Sequence, residues 1–410
     1  MKKTRCLWLL TAAALLLSGC AVRSRVSPGE DAPSGEEPAT PVMAAETTEK
    51  EAAEIYIRGY MNDMTLRELV GQLFFIRPDA LDPNQTQAEI NGTSRHPVRE
   101  VTEELRAALR AYPVGGIALF GKNIADPEQL KQLIAGLQDA APTPLFIGVD
   151  EEGGSVARLA DNPAFALPRF ESARAVGDSG DPARAETMGR TIGAYLRLYG
   201  FNMDFAPVAD VTADPSGGVI GDRAFSSDGA VAASMAGAMA RGLRQEGIVP
   251  VYKHFPGHGN AAGDSHLGPA VTEMTLSEAE KQAWLPYTQN DLNLCAVMAG
   301  HIAAPAITGD RTPASLSETM VTEILRGRLG FEGLVITDSM AMGAVAAEHG
   351  PGEAAVQAIR AGCDMILMPN GLEEAFDGVL QAAEQGELSR DRLEESVIRI
   401  LWYKYSMGLL

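Results

Sequence analysis

PLFIGVD, residues 144–150, is a short apolar run that halts on a carboxylate. A segment of helical length, Pro127 to Ala140, precedes it, so the run reads as a strand buried on both faces in a parallel sheet. Working outward in both directions, similar runs lie at Gln72 to Ile76, Gly116 to Phe120, Met203 to Val208, Ile248 to Tyr252, Ala296 to Ala299, Leu334 to Thr337 and Met365 to Met368. The segments Arg184 to Tyr199, Val231 to Gln245 and Ser277 to Thr288 between them have the length and composition of helices. Strand and helix therefore alternate, which is α/β architecture, and about eight strands suit a closed barrel. The expected fold is a single (β/α)8 barrel of the TIM type. A Rossmann-like open sheet is the alternative, yet no GxGxxG follows any run and no Walker-type loop is present. The chain closes with two helices, Leu372 to Gln385 and Arg390 to Met407, leaving no room for a second domain of normal size, and there is no internal repeat.

At 410 residues, length alone fits either one large barrel or two ordinary domains. With 46% hydrophobic and 21% charged residues there is material for a sizeable core, which excludes global disorder. The formal net charge of -20 opposes phosphate backbones and anionic lipid heads, so no nucleic-acid partner is expected.

The first residues have a different purpose. Lys2, Lys3 and Arg5 precede an apolar stretch from Leu7 to Leu17, and Leu17, Ser18, Gly19 and Cys20 follow, which reads as an export signal. The LSGC run resembles a bacterial lipobox, implying a signal peptide over 1–19, cleavage before Cys20 and lipid on its thiol. An ordinary signal peptide or an uncleaved anchor is the alternative. Residues 20–50 are rich in Pro, Ser, Glu, Thr and Ala without apolar periodicity, the composition of a disordered tether. Order is expected from a helix around Glu51 to Met61, with a cap at Thr65 paired to Glu68, so the catalytic domain is set at 51–410. Cys295 and Cys363, both in apolar segments, are expected to be separate buried thiols rather than a disulfide.

Active sites of such barrels lie at the C-terminal ends of the strands, so polar residues that end apolar runs are candidates for chemistry. Asp150, Lys253 with His254, His301 and Asp338 all qualify. The run KHFPGHGNAAGDSH, 253–266, holds three of the six histidines, and its Pro and Gly content predicts a loop over the barrel mouth. Asp264 and His266 lie two apart, so in extended backbone they face the same way and the carboxylate can hold the imidazole for proton transfer. Zinc is the competing reading of His254, His258, Asp264 and His266, but the Pro-Gly spacing does not present them on one helical face and no second ligand cluster exists. No metal and no cofactor is therefore expected. His258 can equally serve to satisfy backbone groups.

Five stretches together, VDEEGGSVARL (149–159), GFNMDFAPVADV (200–211), VIGDRAF (219–225), KHFPGHGNAAGDSH (253–266) and LVITDSMAMGA (334–344), resemble the β-N-acetylglucosaminidase branch of glycoside hydrolase family 3. The resemblance spans nearly the whole exported domain. It implies a retaining double displacement with Asp338 as nucleophile, and His266, assisted by Asp264, as acid and then base. It also implies that Asp150, Arg158, Arg223, Lys253 and His254 bind the terminal sugar. Asp338 as a helix cap, and Arg158 and Arg223 as rim ion pairs, are the structural alternatives; Met298 and Met340 are read as packing. The chain departs from the usual pattern at Ser155, Ala224, Ser226 and in LGPAV after His266, departures that bear on the leaving-group subsite.

The activity so implied is exo-hydrolysis of β-linked N-acetylglucosamine from a muropeptide, a peptidoglycan fragment or a chitin-type oligosaccharide at the cell envelope. A β-glucosidase or β-xylosidase, a phosphorylase of the same fold and a silent lipid-anchored sugar-binding protein are the competing functions. The first two glycosidases usually carry a further domain with the acid/base carboxylate; a binding protein needs neither a nucleophile nor a proton relay.

Overall fold

The computed structural model describes residues 41–410 except Thr93 and Asn260, and for 41–49 the backbone alone. The signal segment, most of the tether and Cys20 lie outside the described residues. The chain divides into two units, Met1–Thr48 and Glu49–Leu410, and the second is the subject below.

Eight strands form one parallel sheet: β1 (Phe74–Ile76), β2 (Gly116–Ala118), β3 (Phe146–Val149), β4 (Met203–Asp204), β5 (Val249–Phe255), β6 (Ala296–Ala299), β7 (Val335–Thr337) and β8 (Ile366–Leu367). Neighbours follow chain order from β1 to β7, and β8 pairs with β1. A parallel bridge from Ile336 to Met365 joins β7 to β8 and closes the ring. This is the expected (β/α)8 barrel; closure rules out the open sheet. Each of the eight apolar runs supplies one strand.

Inside the ring sit Phe75, Phe146, Phe205, Val249, Val251, Met298, Ile336 and Leu367, among others. Bulky rings fit because two strand positions are glycine. A Cβ on Gly116 would lie 2.7 Å from the Phe75 ring, and one on Gly148 2.8 Å from the same ring. Helices cover the outside and start on well-made caps. Asp126 accepts from the N–H groups of Glu128 and Gln129 to open Pro127–Ala140, and Thr65 and Glu68 make the expected capping box.

Three boundaries differ from the sequence-based expectation. A helix runs from Pro41 to Asn62, so the last ten residues of the tether set at 20–50 are helical. Their Ala, Glu and Lys content favours helix over the disorder that low hydrophobicity suggested. Strand β5 continues through Lys253 and His254 to Phe255, because Val208 pairs with Lys253 and Ala299 with Phe255; the loop starts after them. The stretch Ser277 to Thr288 is not one helix but Leu276–Glu278, a π-turn over Ala279–Ala283, and Leu285–Thr288. Pro286, which lacks an N–H, stands at the start of the last piece. Cys295 and Cys363 are free and buried, as expected. No helix among the described residues is long and apolar enough to cross a membrane.

The helix Arg390–Ser406 closes the end of the barrel where the strands begin. Its Tyr403 hydroxyl donates to the Cys295 carbonyl at 2.7 Å and accepts from Leu334 N–H at 3.3 Å. Beside it Lys404, fully buried, donates to Gln72 Oε1 at 2.6 Å and lies 5.2 Å from the centre of the Phe146 ring, with no carboxylate partner among the described residues. Burial pushes its ammonium down to about 7. Between that value and the ordinary lysine pKa of ~10.4 the unfolded chain binds a proton that the folded chain does not. Lys404 therefore costs stability most below pH 7, and less as pH rises. Lys404→Met is expected to raise the melting temperature at pH 6 and to lose that advantage by about pH 10. Thermal scans of both proteins at the two pH values check this; an equal difference at both would mean the buried ammonium is not the cost.

Candidate active site

All eight strands point the same way, so the residues that follow them meet at one rim. At β3 and the hairpin after it (Glu151–Gly153 paired with Val156–Ala157) carboxylates face the cations of β5. Lys253 Nζ lies 2.8 Å from Asp150 Oδ1 and 2.6 Å from Glu152 Oε1. Arg223 meets Glu152 in a fork, Nε to Oε2 at 2.8 Å and Nη2 to Oε1 at 2.7 Å. Arg158 reaches Asp150 Oδ2 at 3.4 Å. The structure thus brings Asp150, Arg158, Arg223 and Lys253 into one ion-pair cluster, and both arginines are in the rim pairs considered as alternatives. Arg223 Nη1 also donates to the Val219 carbonyl at 3.2 Å.

Charge keeps this cluster ionised. Burial alone would raise the Asp150 carboxyl, but Lys253 and Arg158 hold it well below its ordinary range. Burial would lower the Lys253 ammonium, and Asp150 and Glu152 raise it above its usual value. Glu152 is the hub that sequence reasoning did not single out, although it stands inside the quoted EEGG run.

His254 sits beside the cluster, held from behind by a second residue that the sequence reading passed over. Asp210 is buried and accepts from His254 N–H at 3.2 Å and from His258 N–H at 2.5 Å. Its Oδ2 also lies 2.7 Å from His254 Nδ1. Burial opposes ionisation of Asp210, but His254 and the His258 N–H keep its carboxyl below the ordinary range. The Nδ1 side of His254 is thereby committed, which leaves Nε2 for a ligand.

Asp338 follows β7 and is half-exposed; its Oδ1 accepts the N–H of Ser339 at 2.7 Å. Burial raises its carboxyl, yet His254, His301 and the Ser339 N–H outweigh that and hold it below its ordinary value. His301, another of the strand-end candidates, is buried and spans 2.7 Å to Ser315 Oγ and 2.9 Å to the Ser339 carbonyl. It braces the backbone just after Asp338. Met298 and Met340 are buried, consistent with packing.

The Asp264–His266 contact is formed, but in a turn rather than in the extended backbone expected: His266 Nδ1 is 2.8 Å from Asp264 Oδ1, which also accepts His266 N–H at 2.9 Å. The imidazole is 56% exposed, standing at the mouth. No hydrogen bond among the described residues links this pair to Asp338 or to the ion-pair cluster. The candidate zinc ligands have separate partners, His254 with Asp210, His258 with Ser265 and His266 with Asp264. Among the described residues no three His, Cys, Asp or Glu gather as a metal site would require.

Beneath the rim lie two more buried acids. Glu151 accepts from the N–H groups of Leu159 and Ala160 and from the Tyr195 hydroxyl, at 2.8–2.9 Å. Asp204 accepts from Glu151 N–H at 3.0 Å, while its Oδ2 has no hydrogen-bond partner among the described residues. Burial, reinforced by the Glu151 charge, drives the Asp204 carboxyl well above its ordinary range.

The chain is similar to known proteins along most of its length. The profile of the glycosyl hydrolase family 3 N terminal domain matches residues 65–402. A protein named beta-hexosaminidase LpqI from Mycobacterium tuberculosis is 35% identical over 416 residues, covering 98% of this chain and 97% of its own. A beta-hexosaminidase from Chromobacterium violaceum is 37% identical over 289 residues, 69% of this chain and 79% of its own. Among solved structures, a glycoside hydrolase family 3 beta-N-acetylglucosaminidase from Paenibacillus sp. str. FPU-7 superposes with a TM-score of 0.76 at 32% identity. That match covers 84% of this chain and 63% of the Paenibacillus chain.

Proposed function

The chain belongs to glycosyl hydrolase family 3 and is an O-glycosyl hydrolase; from that premise we propose that it removes terminal β-linked N-acetylglucosamine with retention of configuration. The observation that carries the reading is the half-exposed carboxylate of Asp338, held ionised at the mouth of a barrel whose rim also presents a His266–Asp264 pair at 2.8 Å.

The terminal sugar sits on the ion-pair cluster, where Asp150 accepts from hydroxyls and Lys253, Arg158, Arg223 and His254 donate to them. Asp338 then attacks the anomeric carbon and the glycosidic C–O bond breaks. His266 delivers its proton to the departing oxygen and becomes neutral, with Asp264 fixing the tautomer. In the second half His266 takes a proton from water, the water oxygen bonds to the anomeric carbon, and Asp338 leaves. An imidazole in this role, unlike the usual carboxylic acid, adds no second anion beside the nucleophile. The likeness to proteins named beta-hexosaminidase and beta-N-acetylglucosaminidase supports the amino sugar as substrate, from a muropeptide, peptidoglycan fragment or chitin-type oligosaccharide. The LSGC run supports an envelope lipoprotein carried on lipid at Cys20, which places the substrate outside the cytoplasm.

The test is nitrophenol release by protein lacking residues 1–20, from the β-N-acetylglucosaminide and the β-glucoside, with and without phosphate. Selective cleavage of the acetylated sugar with free N-acetylglucosamine as product is expected. Preference for the glucoside would move the enzyme to the glucosidase branch. Appearance of a sugar phosphate would make it a phosphorylase, and silence on both substrates would leave only a sugar-binding role.

A further inference from the structure

The loop that carries Asp264 and His266 buries little of itself. From Ala261 to Pro269 every side chain is exposed or half-exposed except one: Ser265 is 1% exposed. A cleft of about 360 Å³ separates one flank of the loop from the glycine-rich segment Gly217–Gly221, so packing does not hold that side. A backbone pair between Ala262 and Val271 ties the base of the loop, and contacts from Ser265 and His266 hold its other side. Ser265 Oγ lies 2.8 Å from Nε2 of His258, whose own N–H is bound by Asp210. The carbonyls of Ser265 and His266 accept from the N–H groups of Ala344 and Gly343, at 3.2 and 3.1 Å.

Residue 343 opens the short helix Gly343–Ala346, five positions after Asp338. A Cβ there would lie 2.7 Å from the Leu267 carbonyl oxygen and 3.0 Å from that of His266. Both obstacles are backbone, so no side chain can swing aside to admit it. The loop is thus attached at one point to the Asp210 carboxylate that orients His254, and at another to the segment that carries Asp338.

We infer that His258, through Ser265, and Gly343, through its missing side chain, are positioning residues that dock the acid/base loop and so set where His266 delivers its proton. This rests on the proposed roles of Asp338 and His266 and adds to them. His258 suits the task because burial lowers its basicity, despite the opposing effect of Asp210, and a neutral ring can share a hydrogen bond with a hydroxyl. Neither residue needs to touch the sugar. An imidazole displaced by an ångström fails at proton transfer before it affects sugar binding, since such transfer needs hydrogen-bond reach.

The measurement is kcat/KM for Ser265→Ala and Gly343→Ala on a β-linked N-acetylglucosamine disaccharide, and on the dinitrophenyl glycoside, whose leaving group departs unprotonated. Expected is a loss on the order of tenfold or more on the disaccharide, bounded above by the ~10²–10⁴-fold that a general acid contributes. On the dinitrophenyl glycoside kcat/KM should stay within about twofold, and azide, which needs no base, should restore kcat. His266→Ala run in parallel separates the two levels of the argument. If His266→Ala itself shows no leaving-group dependence, the proposed acid is wrong. If it does, while both other variants keep wild-type values or lose equally on both substrates, the docking role is overturned. Should Gly343→Ala fail to fold by thermal melting, Ser265→Ala decides the question alone.

Discussion

Asp338→Ala is expected to lose turnover by on the order of 10⁴-fold or more, on every glycoside whatever its leaving group, while the protein stays folded. The size follows from the two-step route, because without the carboxylate neither the glycosyl-enzyme nor the favourable charge opposite the developing oxocarbenium can form. Folding should persist because the side chain is half-exposed and its hydrogen bond is to the adjacent Ser339 N–H. Azide gives a sharper outcome than residual rate alone. Entering the space vacated by the carboxylate, it should convert an activated β-glycoside into the α-glycosyl azide, a product of inverted configuration. A folded Asp338→Ala enzyme with wild-type kcat would remove Asp338 from the nucleophile's role.

His266→Ala should divide substrates by leaving group. On a disaccharide the departing alkoxide needs its proton, and a loss of ~10²–10⁴-fold is expected. On a dinitrophenyl glycoside kcat/KM should be largely spared, because it reports bond breaking to a phenolate that needs little protonation. The second half-reaction still lacks its base, so kcat should fall and azide should restore it, here with the β configuration retained. The two variants therefore give opposite azide products from the same substrate. Equal losses on both substrates would count against His266 as the acid.

The eight strands were readable because parallel strands buried on both faces are plain apolar runs, although β5 extends past its run to Phe255. The helix from Pro41 to Asn62 was expected only around Glu51 to Met61, and its first ten residues, 41–50, were not legible, because Glu and Lys residues that favour helix also lower hydrophobicity, the feature behind a disordered tether at 20–50. Strand-end position and loop spacing marked out Asp338, Asp150, Lys253, His254, Asp264 and His266. Glu152 and Asp210 escaped for a physical reason. Their part in the site is to partner Arg223, Lys253 and His254, contacts between residues 44 to 101 positions apart. Only the closed ring makes such pairs neighbours. Gly343 escaped likewise, since the close approach of the Leu267 backbone is a fact of packing and not of pattern.

Tyr56 of the first helix stacks near Tyr405 of the last, ring centres 5.6 Å apart, and the last helix seals the end of the barrel away from the mouth. Entry and exit of the catalytic unit therefore share one pole. A module wired in this way keeps both of its ends clear of the rim that carries Asp150 and Asp338.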